Sequence, residues 1–496
     1  MQEKQLRTVI EIKIKKRGTL SKTRLIKIIF LGLVLPLSVM SLFEETTDKE
    51  VQGLMERTRR VITNNEQRLD RNIRAVMGQY DVPSLVAAII QNTSLVWAKG
   101  YGEQPANDTI YMIGSITKTF TATAMLQLYE QGLIDLDDDV SSYLPFELRN
   151  PSYPDVPITI RMLLTHQSSL NSSQEICGYY QLKFQDLFRN ISQFNEIYPP
   201  YPLWLEHYLT SNGSLYSPNL WGSWEPGTEF VYSNTGYTIL SYLVELVSNK
   251  TFEQYLSDHI FSPLNMTNIG YNYSDFDSEK LAIPYDQHLV ELWPFLFGTN
   301  MSEKVEVLPS YNTEATGDGG LRTSVLDLSH FFIAHMNGGV YNGVRILEEK
   351  TIELMHKKVS SYYGLGWMWN DYFQTQGHTG AMFGFLSAMV FVQSGADSSV
   401  PYGIIFFINK RWPLNQTDTC FAAVYNQLIR AAESVPFIPS SSSSTSSSSS
   451  SSTVTNSSGT SSAINSSGFM IMTFMGSLSL MVTVLLLQKR RKQNIG

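Results

Sequence analysis

The stretch YMIGSITKTF, residues 111–120, decides how the rest of the chain is read. Gly114 ends an extended apolar approach. Ser115 then opens a run, Ile116–Gln131, in which Phe120, Ala124, Leu126 and Leu128 recur near helical spacing. Ser115 and Lys118 are three residues apart and share one face of that helix. A hydroxyl in the first turn beside an amine is a candidate activated nucleophile. The free N–H groups and partial positive charge of a helix N-terminus favour an unprotonated lysine and a nearby oxyanion. The plainer alternative is an N-capping serine followed by a solvated lysine.

Outward from that stretch, the chain of 496 residues has distinctive ends. Residues 1–43 are a basic region followed by the apolar run Ile28–Phe43, with Glu44 and Glu45 after it. This pattern reads as a signal peptide or signal anchor. At the other end, Phe469–Leu487 is an uncharged apolar segment of transmembrane length. Residues 488–496 follow, with the basic cluster Lys489-Arg490-Arg491-Lys492 expected on the cytoplasmic side. Between them, residues 44–438 form the expected ectodomain, and the Ser/Thr-rich residues 439–468 form a stalk that has no means of burying a core. Twelve Asn-x-Ser/Thr sequons between Asn92 and Asn465 point to a glycoprotein exposed outside the cytoplasm.

With basic residues gathered at the two ends and an overall formal charge of −8, the body is acidic. That argues against a nucleic-acid partner. The cysteines, Cys177 and Cys420, stand either as one pair or as two free thiols. There is no Cys or His spacing for a structural zinc, no His-Glu-x-x-His and no Gly-x-Ser-x-Gly. No metal or cofactor is expected, and an α/β-hydrolase is disfavoured. Asp135–Asp139 lacks the glycine and ligand spacing of a calcium loop and reads as a solvated acidic loop.

The periodicity predicts a long amphipathic helix over 48–79 and two strands, Val82–Ile90 and Ser94–Gly100, as a hairpin in the middle of a sheet. Helices follow at Thr159–Leu164, Thr235–Ser248, Phe252–Ile260, about 324–336 and Leu347–Lys357. Later strands are expected at Tyr363–Trp369, Gly384–Gln393 and Tyr402–Asn409, with a closing helix over Asp418–Ser434. Strands at both ends with helices between predict an α/β (α+β) domain. Its antiparallel sheet is built from both termini, flanked by helices, with a mainly helical region inserted. The aromatic stretch Asn171–Trp224 is read as a local subdomain packing its own aromatics, or else as a lid or pocket wall.

Two further spots can complete a serine site. Tyr232-Ser233-Asn234 places a phenol and an amide just before a helix, groups able to relay a proton and to hold a lysine or a substrate carbonyl. His378-Thr379-Gly380-Ala381 precedes the strand at Gly384 in what reads as a turn. A glycine there admits a backbone N–H close to a ligand, and the histidine is a candidate for orienting the site or binding an anionic group.

Taken in order, these motifs resemble the serine β-lactamase and penicillin-binding-protein superfamily, in the branch of class C β-lactamases, D,D-carboxypeptidases, D-aminopeptidases and related esterases. Further matching stretches are VPSLVAAII at 82–90, AKGYG at 98–102, GLIDLDDDV at 132–140, ITIRMLLTH at 158–166, PGTEFVYSNTGY at 226–237, GGLRTSVLDL at 319–328 and YGLGW at 363–367. The resemblance implies a β-lactamase/transpeptidase-like fold and a serine hydrolase of an amide or ester, such as a D-amino-acid peptide. Ser115 is then the acylated nucleophile, with Lys118 and Tyr232 sharing the proton work. Asn234 positions Lys118 and the substrate amide, and the backbone N–H groups of Ser115 and Ala381 form an oxyanion hole. His378, Thr379 and Gly380 lie at the substrate's far end. The implied partner is a small-molecule or peptide substrate, with the membrane held through the C-terminal helix. Histidine at 378, where class C β-lactamases have lysine, resembles the peptidase-like relatives. A non-catalytic binding module on a cell-surface stalk is the alternative.

Overall fold

Val82–Ile90 is apolar without alternation, the pattern of a strand covered on both faces. In the computed structural model it forms β1, Ser84–Gln91, whose residues Leu85 to Ile90 are fully buried. The structure describes residues 49–171, 183–184, 186–188, 201–297, 306–313, 316–360, 362–370, 374–392 and 401–434. The apolar segments Ile28–Phe43 and Phe469–Leu487, the stalk at 439–468, the basic ends and Cys177 all lie outside these residues. Among the described residues no helix is long and apolar enough to cross a membrane.

Helix α1 is Lys49–Tyr80; residues up to Arg68 belong to one compact unit and Leu69 to Glu433 to a second. Within the second unit, α1 buries Leu69, Ile73, Val76 and Met77. After β1 comes β2, Ser94–Gly102, then a single turn at Gly114–Ile116 and helix α2, Thr117–Glu130. The helical region holds α3, Ile160–Leu164, α4, Asn234–Ser248, α5, Val325–Met336, and α6, Glu349–His356. The chain then returns as β3, Met368–Asn370, β4, Thr375–Met382, β5, Phe385–Val392, and β6, Tyr402–Ile408, before helix α7, Leu414–Ser434.

The main sheet has the order β2-β1-β6-β5-β4-β3, with every neighbouring pair antiparallel. The expected sheet built from both termini is what forms. β1 and β6 pair in register from Leu85 against Ile408 to Gln91 against Tyr402. On one face Val86, Ala88, Ile90, Ile405 and Phe407 join the core shared with the helical region. The alternate residues face the other way, where Phe406 meets Phe421 of α7 at 4.9 Å. Each Val, Ile or Phe side chain among them contributes about 1.5–3 kcal/mol on burial.

Several expectations need correction. The first hairpin lies at an edge of the sheet, since β2 pairs in it only with β1. Its Lys99 ion-pairs with Asp70 of α1, a charged residue of the kind that suits a strand with an open side. Tyr363–Trp369 is not a strand; only Met368–Asn370 joins the sheet, with one bridge from Tyr363 to Met368. Conversely, Thr375–Met382 is a full strand, so His378–Ala381 lies in the sheet and not in a turn. Its polar and small residues hide the alternation that marks strands. The helix expected over Phe252–Ile260 is α-helical only to Leu256 and continues as a wider turn over Ser257–Phe261.

The acidic loop is not simply solvated. Asp139 and Asp137 take Arg149 and Arg161 in two-point contacts, and Asp138 takes the Tyr143 hydroxyl. The described part of the aromatic segment does not form its own core either. Phe184 and Phe188 join the main core, where their rings lie 4.7 and 6.0 Å from Phe383. Cys420 is a buried free thiol in α7.

In helix α2 Thr117 through Leu128 are all buried, polar residues included. Its threonines make that tolerable by turning their hydroxyls onto backbone carbonyls. Thr119 donates to Ile116 at 2.8 Å, Thr121 to Gly317 at 2.7 Å and Thr123 to Thr119 at 2.8 Å. Phe120 stacks on Phe331 with centroids 3.9 Å apart and meets the edge of Phe261 at 5.9 Å. We expect Phe120→Ala to lower unfolding free energy by about 3–5 kcal/mol in urea denaturation. A loss below about 1 kcal/mol would show that α2 is not the packing centre.

Candidate active site

The site is made where β4 runs alongside the turn preceding α2. Gly114 has φ +53, and a Cβ there would lie 2.6 Å from the Ala381 backbone nitrogen. A Cβ on Gly380 would lie 2.0 Å from the Ile113 carbonyl oxygen. Two residues without side chains therefore let the two backbones touch. Ser387 on β5 closes the contact by donating its hydroxyl to the Ile113 carbonyl at 2.8 Å.

Ser115 sits in the turn Gly114–Ile116, ahead of the α-helix proper, and is half-buried. Its side chain caps nothing, so the N-cap alternative fails: neither the turn nor α2 has a side-chain cap. Lys118 is fully buried rather than solvated. Its Nζ donates to Ser115 Oγ at 3.2 Å, to Asn234 Oδ1 at 2.8 Å and to the Asp318 carbonyl at 2.5 Å. The same nitrogen stands 5.1 Å from the ring centre of Tyr232 and 5.5 Å from that of Tyr237. Ser115, Lys118, Tyr232 and Asn234 are thus brought together, and Gly380 and Ala381 flank them.

The placement of Tyr232 and Asn234 follows from the start of α4. Ser233 caps that helix by accepting from Gly236 N–H at 3.1 Å, which leaves Asn234 as its first residue. His166 fixes the incoming segment. Its Nδ1 accepts the Ser233 N–H at 3.0 Å, and its ring lies against Tyr232 at 4.2 Å. Burial above all holds the His166 ring well below its ordinary pKa, so it is neutral with its proton on Nε2.

His378 departs from expectation. It is buried, with Nδ1 donating to the Thr379 carbonyl at 2.6 Å and Nε2 accepting the Tyr363 hydroxyl at 2.8 Å. Burial, helped by the Lys118 charge, takes its pKa down to about 3. A neutral imidazole with both nitrogens engaged supplies no positive charge for an anionic group. Alternation along β4 sends this side chain inward beside Tyr363 and Tyr232. Thr379 on the same strand is also largely buried.

Two residues at the site escaped the sequence reading. The carbonyl of Asp318 holds Lys118, and its carboxylate receives the Lys183 amine at 2.5 Å. Asp318 lies in the Gly-rich stretch before GGLRTS, a visible hint of close backbone approach. Lys183 carries no local signal. Among the described residues, no three His, Cys, Asp or Glu side chains gather as a metal site.

A model of the family described as Beta-lactamase matches residues 69–426. The chain is 26% identical to Protein flp of Staphylococcus aureus (strain MW2) over 369 residues, which cover 71% of this chain and 64% of that protein. The chain thus spans under two thirds of that relative's length. Among solved structures it is similar to an octameric penicillin-binding protein homologue from Pyrococcus abyssi. There the TM-score is 0.56 at 25% identity, over 75% of this chain and 79% of that one. A D-stereospecific amidohydrolase from Streptomyces sp. shares the fold with a TM-score of 0.51 at 23% identity, over 73% of this chain and 97% of that one.

The buried histidines set a pH dependence. His166, His335, His356 and His378 all titrate below their ordinary range, chiefly through burial. The unfolded chain takes up their protons near pH 6.5 while the folded chain does not. Stability is therefore full above that pH and falls as pH drops below it, by about 1.4 kcal/mol per pH unit for each such group. Thermal unfolding midpoints should fall between pH 7 and pH 5, and less steeply in His378→Asn. Equal slopes in the two proteins would remove His378 from this account.

Proposed function

Because the chain belongs to the beta-lactamase family, we propose that it is a serine hydrolase that cleaves an amide or ester through an acyl-serine intermediate. The observation that carries this reading is the 3.2 Å contact between Lys118 Nζ and Ser115 Oγ, on an amine held by Asn234 and Asp318. In the proposed cycle, Ser115 Oγ bonds to the substrate carbonyl carbon while its proton passes to Lys118. Tyr232 shares the proton path to the leaving nitrogen or oxygen. The backbone N–H groups of Ser115 and Ala381 take the developing oxyanion. Asn234 holds Lys118 and meets the substrate amide. Water then cleaves the ester, releasing the acid and restoring Ser115.

The substrate is a small molecule or peptide, with D-amino-acid peptides the class favoured by histidine at 378 in place of lysine. We propose also that the domain stands outside the cytoplasm, tethered by Phe469–Leu487. The support is the apolar run followed by Lys489-Arg490-Arg491-Lys492, together with the spread of sequons.

A fluorophosphonate probe should label the full chain, and Ser115→Ala should abolish labelling. A parallel hydrolysis screen of D-peptides, short esters and β-lactams should find a substrate whose turnover falls at least about a thousandfold in Ser115→Ala. Persistent labelling of the variant would sink the assignment of Ser115. No adduct from the wild type with any acylating probe would favour the non-catalytic binding module instead.

A further inference from the structure

Lys118 is one of two lysines buried beside Asp318. The second, Lys183, comes from the aromatic segment between α3 and α4 and is as deeply enclosed as the first. Its Nζ lies 2.5 Å from Asp318 Oδ1, 3.2 Å from Thr316 Oγ1 and 3.5 Å from the Gly319 carbonyl. Asp318 Oδ1 also receives the Thr316 hydroxyl at 2.6 Å and the Thr238 hydroxyl at 3.4 Å. One residue therefore faces both amines, the carbonyl toward Lys118 and the carboxylate toward Lys183. Phe184, next in the chain, is anchored against Phe383 and Tyr311, which fixes where Lys183 enters.

A cluster of two amines and one carboxylate has a definite electrostatic preference. Buried charges persist only when paired, so an anionic Asp318 stabilises one cation strongly and a second much less. With Lys183 taking that role, the carboxylate is already neutralised when Lys118 is considered. Without Lys183, the nearest cation to Asp318 would be Lys118, which would then be held protonated and useless as a base. On the reading that Lys118 accepts the Ser115 proton, we infer that Lys183 is a positioning residue that keeps Lys118 unprotonated by neutralising Asp318 from the opposite side.

The remaining groups facing Lys118 among the described residues do not compete for this role. From the loop before α4 and from α4 itself come Tyr232, the neutral amide of Asn234 and Tyr237, whose hydroxyl burial keeps protonated. His166 after α3 and His378 on β4 are both neutral. Burial pushes the Asp318 carboxyl up, but the Lys183 charge first, with the hydrogen bonds from Lys183 and Thr316, leaves the carboxyl lowered, hence anionic.

The test uses two readouts on the full chain. One is direct titration of the Lys118 amine by lysine side-chain NMR, with the signal assigned by its loss in Lys118→Arg. The other is the pH profile of Ser115 labelling by a fluorophosphonate. Lys183→Met should move the Lys118 midpoint, and the acid limb of the labelling profile, upward by about one pH unit. Asp318→Asn should move neither upward, because it removes the anion that could hold a proton on Lys118. The double variant Lys183→Met with Asp318→Asn, which has neither charge, should return both toward the wild-type position, as should Lys183→Arg. Shifts in the same direction for the two single variants, or a uniform loss of labelling with an unmoved limb, would reduce the pair to a structural contact and overturn the inference. If Lys183→Met does not fold, Asp318→Asn and the double variant still carry the comparison. A wild type that resists the probe while its Lys118 midpoint shifts as stated overturns the proposed function and leaves the coupling standing.

Discussion

The buried amine of Lys118 is the constraint on which the rest depends. An amine with no access to water must be met by acceptors, and here they come from three separate parts of the chain. Ser115 is one helical turn away, Asn234 begins α4, and Asp318 precedes the short strand Arg322–Thr323. Each acceptor ties an element to α2. Losing one leaves a buried donor unsatisfied, at a cost of about 1–3 kcal/mol. The same contacts thus tie the start of α4 and the segment at Asp318 to α2. Threonines along α2 serve the same logic, letting a helix with hydroxyls on several sides lie wholly inside.

The second constraint is steric. β4 comes close enough to the turn at Ser115 for backbone to meet backbone only because Gly114 and Gly380 lack side chains. That contact carries the Ala381 backbone to the side of the turn that holds Ser115. It depends on the sheet being closed by strands from both chain ends, since β1 and the β4–β5 pair are joined through β6. Asp286 and Tyr311 pin the turn that follows β4, accepting the Gly384 N–H at 2.7 Å and donating to the Phe383 carbonyl at 2.7 Å. The end of the strand beside Ser115 is therefore held on both sides of Ala381.

Much of this was legible beforehand, for reasons that vary by residue. Ser115 and Lys118 lie on one helical turn, so their meeting is a local matter. β1, β5 and β6 carry apolar runs dense enough to declare buried strands. β4 did not, because Thr375, Gln376, His378 and Thr379 are polar residues that are buried only by what packs over them. His378 looked like a turn residue beside a glycine, and the pairing of β4 with β5 turned it inward onto Tyr363. The first hairpin looked central because β1 is covered on both faces, while the polar positions of β2 were the quieter sign of an edge.

What the sequence by itself determined is local or patterned: the Ser-x-x-Lys turn, the strands of continuous apolar character, the glycines where backbones approach, and the family motifs in order. Only the tertiary structure decided which distant groups satisfy Lys118, that Asp318 stands between two buried amines, and that His378 is a neutral, internally bonded ring. The reason is physical. Helical spacing and strand alternation are written within a few residues. The burial and electrostatic neighbours of an ionisable side chain are set by elements one or two hundred residues away. Lys183 is the sharpest case: nothing adjacent to it marks it, and its role exists only through Asp318, 135 residues further along the chain.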